Sequence, residues 1–446
     1  MSNRQLLLGV TLLSLSSTAC AFSWEHRVDA NVGYIDRSEK ELGLKNDGQL
    51  RNSYLQINAQ GQYKLSTDQY FFAKARGFYS TDSINLEPEL GGQASKYYLE
   101  LQQLYFKADN LIYPGVSAIL GRKRLRDDTG LWWDRDFTLA SLQIERSLFS
   151  GFIAIGENFN QFRTDNSDYK QRDQDLFRLL ATASWHWRYQ QFIDVNFSYL
   201  NDHSSINQMI TGAAIDDPSD PKVAWLGVRS HGAGQLNDDT VINYSAQYIH
   251  QQGDISYLNA DGVDNKKVKG WLVQGDISAQ MNYLFQPEVG FQFAQTSNNC
   301  DHNTEGRFFQ SGLHSNRAKL VANMAAINRY NDAYRPELSN IQVLGAYLKM
   351  QFAAEVKLNL LLNHFTRVNT DLDIGRSEID VPLVAGRDEL GVAADLVVEY
   401  TPQLTSTLLN SSTIKLRLSS FWPGAAYGNS VNDQRHRALL EWRLNF

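Results

Sequence analysis

At 446 residues the chain has the length of two or three ordinary domains, although β-barrels of this size are commonly single units. Hydrophobic residues make up 43% of it, yet no run approaches the roughly 20 apolar residues that a membrane helix needs, so helical spanning is excluded. A net charge of −7 argues against nucleic acid as a partner, while leaving open a basic interior, because net charge does not say where charges sit.

The N-terminus reads as a targeting segment. Arg4 supplies a positive start, Leu6 to Leu15 an apolar stretch, and Ala19-Cys20-Ala21 a small-residue cleavage site. The expected division is a cleaved signal peptide over 1–21 and one barrel domain over 22–446. Removal of Cys20 leaves Cys300 alone, so no intramolecular disulfide is expected.

From there the chain alternates. Leu55, Ile57, Ala59, Gly61 and Tyr63 oppose Gln56, Asn58, Gln60, Gln62 and Lys64. Phe71, Ala73, Ala75 and Gly77 oppose Phe72, Lys74, Arg76 and Phe78. Phe177 to Trp187 oppose Arg178, Thr182, Ser184 and His186, and Ile193, Val195, Phe197 and Tyr199 oppose Asp194, Asn196 and Ser198. Trp271 to Ala279 oppose Gln274, Asp276 and Ser278, while Ile414, Leu416 and Leu418 oppose Lys415, Arg417 and Ser419. The last strand puts Ala438, Leu440, Trp442, Leu444 and Phe446 on one face and Arg437, Glu441, Arg443 and Asn445 on the other, where Leu439 is the one apolar member. Successive side chains point to opposite faces of a strand. A soluble barrel with so many strands would enclose a void that side chains cannot fill. In a membrane barrel the oily face meets lipid and the polar face lines a lumen, with aromatic residues, 12% here, at both interfaces.

Connections alternate as well. Short ones are expected near 65–68, 110–115, 147–151, 189–190, 232–237, 283–287, 350–354 and 401–406, and long polar ones near 37–50, 81–95, 125–136, 161–174, 202–221, 252–268, 298–339, 368–387 and 422–434. Eight short turns and nine long loops imply an all-β fold, a single transmembrane antiparallel barrel of about 18 strands with short periplasmic turns and long extracellular loops. The loop from 300 to 340, with a short helix expected around 319–329, carries Arg307, Arg317, Lys319, Arg329 and Arg335. It is a candidate constriction folded into the lumen; the alternative is a solvated loop.

Basic residues cluster. Gly121-Arg122-Lys123-Arg124-Leu125-Arg126 sets Arg122, Arg124 and Arg126 on one face, and Arg76, Arg178, Lys415, Arg417 and Arg443 fall on predicted inward faces. Guanidinium groups offer forks of donors that match carboxylates, and rings of Arg or Lys make pores favour anions. Inward Asp194, Asp276, Asp395 and Glu441 are expected to hold such cations in place, and a balanced lumenal ladder without selectivity is the competing reading. No Gly-x-Ser-x-Gly, His-Glu-x-x-His or phosphate-binding glycine loop is present, and the acidic pairs Asp127-Asp128 and Asp216-Asp217 read as solvated turns. No enzyme activity, cofactor or metal is expected.

Several stretches resemble the alginate export family of outer-membrane porins: Gly121-Arg122-Lys123-Arg124 followed by Leu131-Trp132-Trp133-Asp134, Ser147-Leu148-Phe149-Ser150-Gly151-Phe152, Gly312-Leu313-His314-Ser315-Asn316-Arg317, Arg335-Pro336-Glu337-Leu338-Ser339-Asn340, and Leu418 to Tyr427. The resemblance implies an 18-stranded monomeric barrel in outer-membrane lipid with an electropositive constriction that passes an anionic uronic-acid polysaccharide. It makes Arg122, Arg124, Arg317 and Arg417 pore-lining candidates. The chain departs from the family at Pro423-Gly424-Ala425-Ala426-Tyr427, which lacks the usual Asp, and at Ala322, Ala325 and Ala326. The reading is a passive channel for an anionic polysaccharide or oligosaccharide, with periplasmic export or gating proteins as further expected partners. Uptake of anionic oligosaccharides or small organic acids is the alternative within transport. A lipid-hydrolysing barrel and a blocked, adhesive barrel are the alternatives outside it.

Overall fold

The computed structural model describes residues 24–38, 49–81, 96–127, 129–157, 163–164, 176–203, 219–259, 262–301, 303–313, 317–318, 327–328, 330–379, 381–402, 412–428, 431 and 434–446. The expected signal peptide and Asp216-Asp217 lie outside these residues.

Alternation between an oily and a polar face produces strands throughout. They are β1 (Trp24–Ser38), β2 (Gln49–Lys64), β3 (Gln69–Ser80), β4 (Tyr97–Ala108), β5 (Val116–Arg126), β6 (Asp134–Glu145), β7 (Phe149–Glu157), β8 (Leu176–Arg188), β9 (Gln191–Asp202), β10 (Ser219–Asn237), β11 (Thr240–Asn259), β12 (Gly262–Met281) and β13 (Glu288–Thr296). Three two-residue strands follow, β14 (Thr304–Glu305), β15 (Arg317–Ala318) and β16 (Ile327–Asn328), and then β17 (Ile341–Gln351), β18 (Val356–Arg367), β19 (Glu389–Tyr400), β20 (Thr413–Pro423) and β21 (Arg435–Asn445). Without the three short ones, 18 strands form the wall. Each pairs antiparallel with its neighbours along the chain, and β1 pairs with β21, so the barrel closes and no edge is left unpaired.

The predicted faces hold. Val32, Leu55, Ile57, Ile153, Val195, Ile277, Leu362 and Leu440 are exposed on the outside, while Asn58, Ser198, Gln247, Ser278, Asn363 and Asp395 are buried within. Exposed aromatics mark both rims. Phe149, Trp185, Trp187, Tyr189, Tyr283, Tyr400 and Trp442 cluster at the short-turn end, and Tyr79, Tyr97 and Trp422 at the other.

Among the described residues, two connections differ from the sequence expectation. The long loop expected over 252–268 is a continuation of strands, with β11 and β12 paired out to Asn259↔Gly262. At 20 residues each these strands are about 66 Å long at ~3.3 Å per residue, well over twice the ~25 Å apolar band, so the hairpin projects beyond the membrane. The short turn expected at 232–237 is likewise strand, since β10 runs to Asn237 and pairs with Thr240. At the projecting hairpin polar composition suggested a loop because a strand beyond the bilayer has no lipid face.

Candidate functional site

The wall opposite the projecting hairpin carries a continuous row of paired polar groups. Asp29 faces Asn58, Asn58 faces Arg76, and Arg76 faces Glu100 across successive strands. The Asn58 amide donates to Asp29 Oδ1 at 2.8 Å, Arg76 Nε donates to Asn58 Oδ1 at 3.4 Å, and Arg76 Nη1 lies 3.5 Å from Glu100. Arg443 extends the row, with Nη2 3.5 Å from Asp29. Register aligns Asp29, Asn58, Arg76 and Glu100 across β1 to β4, and Arg443, two residues from Asp29's partner Asn445, carries the belt onto β21.

The β5–β6 hairpin leaves the wall. The β4–β5 ladder ends at Leu104↔Arg122 and the β6–β7 ladder at Thr138↔Glu157, while β5 and β6 stay paired up to Arg126↔Asp134. Gly121, at φ 123°, sits at the departure point, and a Cβ there would fall 2.4 Å from Leu104 O. Only glycine takes this backbone without strain. One face of the hairpin, with Leu125, Phe137 and the tip residues Leu131, Trp132 and Trp133, is buried in the apolar cluster inside the barrel. Trp132 occupies the space left by Gly227 of β10, where a Cβ would be 2.3 Å from its indole. The opposite face carries the arginines. Arg124 lies 2.8 Å from Asp134 and 3.6 Å from Asp136, and both Arg124 and Asp136 are within electrostatic reach of Lys74 on β3. Arg122 Nε donates to Gln102 O at 3.0 Å.

Asp127 fixes the tip. Its Oδ1 accepts the backbone N–H groups of Trp132 (3.1 Å) and Trp133 (3.0 Å), and its Oδ2 accepts that of Thr129 (3.0 Å) together with the Thr129 hydroxyl. It is therefore an internal cap rather than the solvated carboxylate that the sequence suggested. Burial pushes this carboxyl above its usual range against the pull of those hydrogen bonds.

The segment between β13 and β17 also turns inward. On one side Arg178 Nη1 donates to Ser311 O at 2.6 Å, Trp225 Nε1 to Phe309 O at 2.9 Å, and the Leu313 carbonyl accepts the N–H of Asp134 at 2.8 Å. On the other side the Asn331 amide donates to Asp395 and to Ser419 Oγ, both at 2.9 Å, and Arg435 Nε donates to Ala333 O at 2.7 Å. Tyr334 stacks on Phe421 with centroids 3.9 Å apart. The segment thus bridges the inner walls of β8–β11 and β18–β21, which places it in the lumen. The helix expected over 319–329 does not extend to Ile327–Asn328, which ladders with Arg317–Ala318. Lys319 and Arg329 lie outside the described residues, and Arg317 is described in its backbone alone.

Beside this segment stand five arginines and three carboxylates. Arg417 and Arg437 each lie 3.6 Å from Asp332, Arg335 lies 3.5 Å from Glu378, and Arg435 lies 3.3 Å from Glu378. Asp395 accepts the Asp332 N–H at 3.0 Å. Arg37 of β1 is directly opposite Arg437. Like charges placed opposite each other across strands are destabilising. The fold nevertheless keeps this pair among the five arginines, beside Asp332 and Glu378. The sequence reading missed Arg37, Arg435, Asp332 and Glu378, because the loops that supply the partners give no register.

The predicted site residues divide in two. The side chains of Arg443 (46% exposed), Arg124 (27%), Lys415 (27%), Arg417 (19%) and Arg76 (15%) open to the lumen while each stays beside a carboxylate. Arg178, 4% exposed and donating to Ser311 O, instead anchors the infolded segment.

Residues 31–441 match the family model described as alginate export. The alginate production protein AlgE of Pseudomonas aeruginosa is 28% identical, the match covering 82% of this chain and 78% of that protein. AlgE of Pseudomonas syringae pv. tomato is 24% identical over 98% of each. Among solved structures, Pseudomonas aeruginosa OccK8 (OprE) superposes with a TM-score of 0.63 at 10% identity, covering 95% of this chain and 98% of that one. Acinetobacter baumannii OccAB1 gives 0.62 at 11% identity, covering 95% and 96%.

Proposed function

The chain belongs to the alginate export family, and from that premise we propose that its outer-membrane barrel is a passive channel for alginate, an anionic uronic-acid polysaccharide. The observation that carries this reading is the arginine face of the infolded β5–β6 hairpin, turned toward the lysine- and arginine-bearing wall of β3. A polyanion passing between them exchanges part of its carboxylate hydration for guanidinium donors. Carboxylates already beside those guanidiniums keep each contact weak, and many weak sites favour flow over retention. Arg76, Arg122, Arg124, Lys415, Arg417 and Arg443 line this path in the proposed mechanism, with Arg317, Lys319 and Arg329 as further candidates on the inner segment. The channel needs no chemical step.

Proteoliposomes test the reading. Vesicles carrying the purified chain should release trapped oligouronates faster than neutral maltooligosaccharides of equal length. Equal or slower release of the uronates would contradict it.

A further inference from the structure

Below the hairpin, toward the short-turn end, the lumen wall carries an aromatic group that the arginine path does not use. Tyr70 and Phe72 of β3 face inward, because Phe71, between them in sequence, is exposed to the outside. Their register partners on β4 are Lys107 and Tyr105. Phe72 and Tyr105 stack with centroids 5.1 Å apart and planes 25° from parallel, and Tyr70 meets Tyr105 edge-on at 6.4 Å. The three rings are half-buried, so part of their surface is open to the lumen. Two ammonium groups flank them, with Lys107 Nζ 5.9 Å from the Tyr70 centroid and Lys123 Nζ 5.8 Å from that of Tyr105.

The two lysines are not equivalent. Lys107 lies 2.8 Å from Asp109, whose carboxylate also accepts the Ser117 hydroxyl at 2.6 Å. Lys123 has no carboxylate within ion-pair distance among the described residues; Asp109 and Glu145 act on it only at longer range. It stands at the root of the infolded hairpin, two residues beyond Gly121, the register partner of Tyr105. Along β5 the order is therefore Gly121 at the level of Tyr105, then Arg122, Lys123 and Arg124, so the rings lie on the short-turn side of the arginines.

We propose that Tyr70, Phe72, Tyr105 and Lys123 form a uronate-binding subsite at the periplasmic mouth, which receives the polymer before it meets the arginines. The inference rests on the proposed function. Aromatic faces carry negative quadrupole density and attract the positive C–H edges that a pyranose ring presents. An ammonium beside such a face supplies the partner for a carboxylate on the same sugar. Neither feature alone distinguishes a uronate, since rings take neutral sugars and an ammonium takes any anion. Their juxtaposition selects a sugar acid.

The test is block of single-channel current by a purified hexauronate, with maltohexaose as the neutral probe, on the full chain in planar bilayers. Two variants are compared, Lys123→Gln and the double variant Phe72→Leu/Tyr105→Leu, each verified as a closed barrel by heat-modifiable gel mobility. The double variant should raise the half-blocking concentration of hexauronate about tenfold, equivalent to about 1.4 kcal/mol. Lys123→Gln should raise it several-fold while leaving maltohexaose block unchanged, which a merely structural role for the lysine would not produce. Block by hexauronate that persists unaltered in both variants overturns the subsite alone. A wild-type channel that hexauronate does not block overturns the functional reading and the subsite together.

Discussion

At the scale of single residues, the interior is organised by side chains that hold inward-folded backbone. Asp127 is the clearest case, because its carboxylate accepts three backbone N–H groups at the hairpin tip. An unpaired buried donor costs about 1–3 kcal/mol, so Asp127→Ala should destabilise the tip by that order or more and appear as increased open-channel noise. The pH dependence has a definite sign. Burial raises the folded-state pKa of Asp127 above its unfolded value, so its contribution to stability is full in acid and is lost as pH rises through the folded pKa. In urea titrations from pH 7 down to pH 4, wild type should therefore gain stability relative to Asp127→Asn. A constant difference across that range would contradict the assignment. None of this was legible in Asp127-Asp128 as a sequence, where an acidic pair reads as a solvated turn.

At the scale of elements, two insertions narrow the lumen. The hairpin tip depends on the absent Cβ of Gly227, against which Trp132 packs. Gly227→Leu should expel the tip and raise single-channel conductance severalfold, and unchanged conductance would show that the tip has another support. The inner segment depends on Arg435, which donates to Ala333 O and Glu378 O at 2.7 Å each and faces the Glu378 carboxylate. Removing one partner of a buried ion pair costs about 3–5 kcal/mol. Arg435→Met should thus free the segment and increase its cleavage by added protease, while the barrel itself remains closed. Wall strands were readable because lipid on one side and water on the other enforce a period of two. The insertions were less so. A conformation such as that of Gly121 and a contact such as Trp132 against Gly227 join places far apart in the chain, and no local pattern encodes them. The arginine triplet at 122–126 was visible as a cluster, but the direction in which it faces depends on the bend at Gly121.

At the scale of the whole molecule, a net charge of −7 coexists with a constriction edged by arginine. Among the described residues, the negative groups near the path are largely spent beside cations, as at Asp134, Glu100, Asp332 and Asp29. Arg335, Arg435 and Arg437 are buried, so a mobile ion meets the part-exposed Arg76, Arg124, Arg417 and Arg443 and feels the buried arginines only through their field. Selectivity of this origin acts through water and is screened. It should weaken steadily as salt rises from ~0.1 M, where the Debye length is about 10 Å, to ~1 M, where it is about 3 Å. Selectivity set by pore width alone would not change with salt.

The most direct measurement is the reversal potential of the wild-type channel in a planar bilayer under a KCl gradient. An arginine-edged path requires a potential of the sign set by chloride, one that shrinks at high salt and moves toward zero when Arg122, Arg124 and Arg417 are replaced together by Gln. A potential of the sign set by potassium, or one indifferent to those three replacements, would contradict the account of how this barrel selects what it passes.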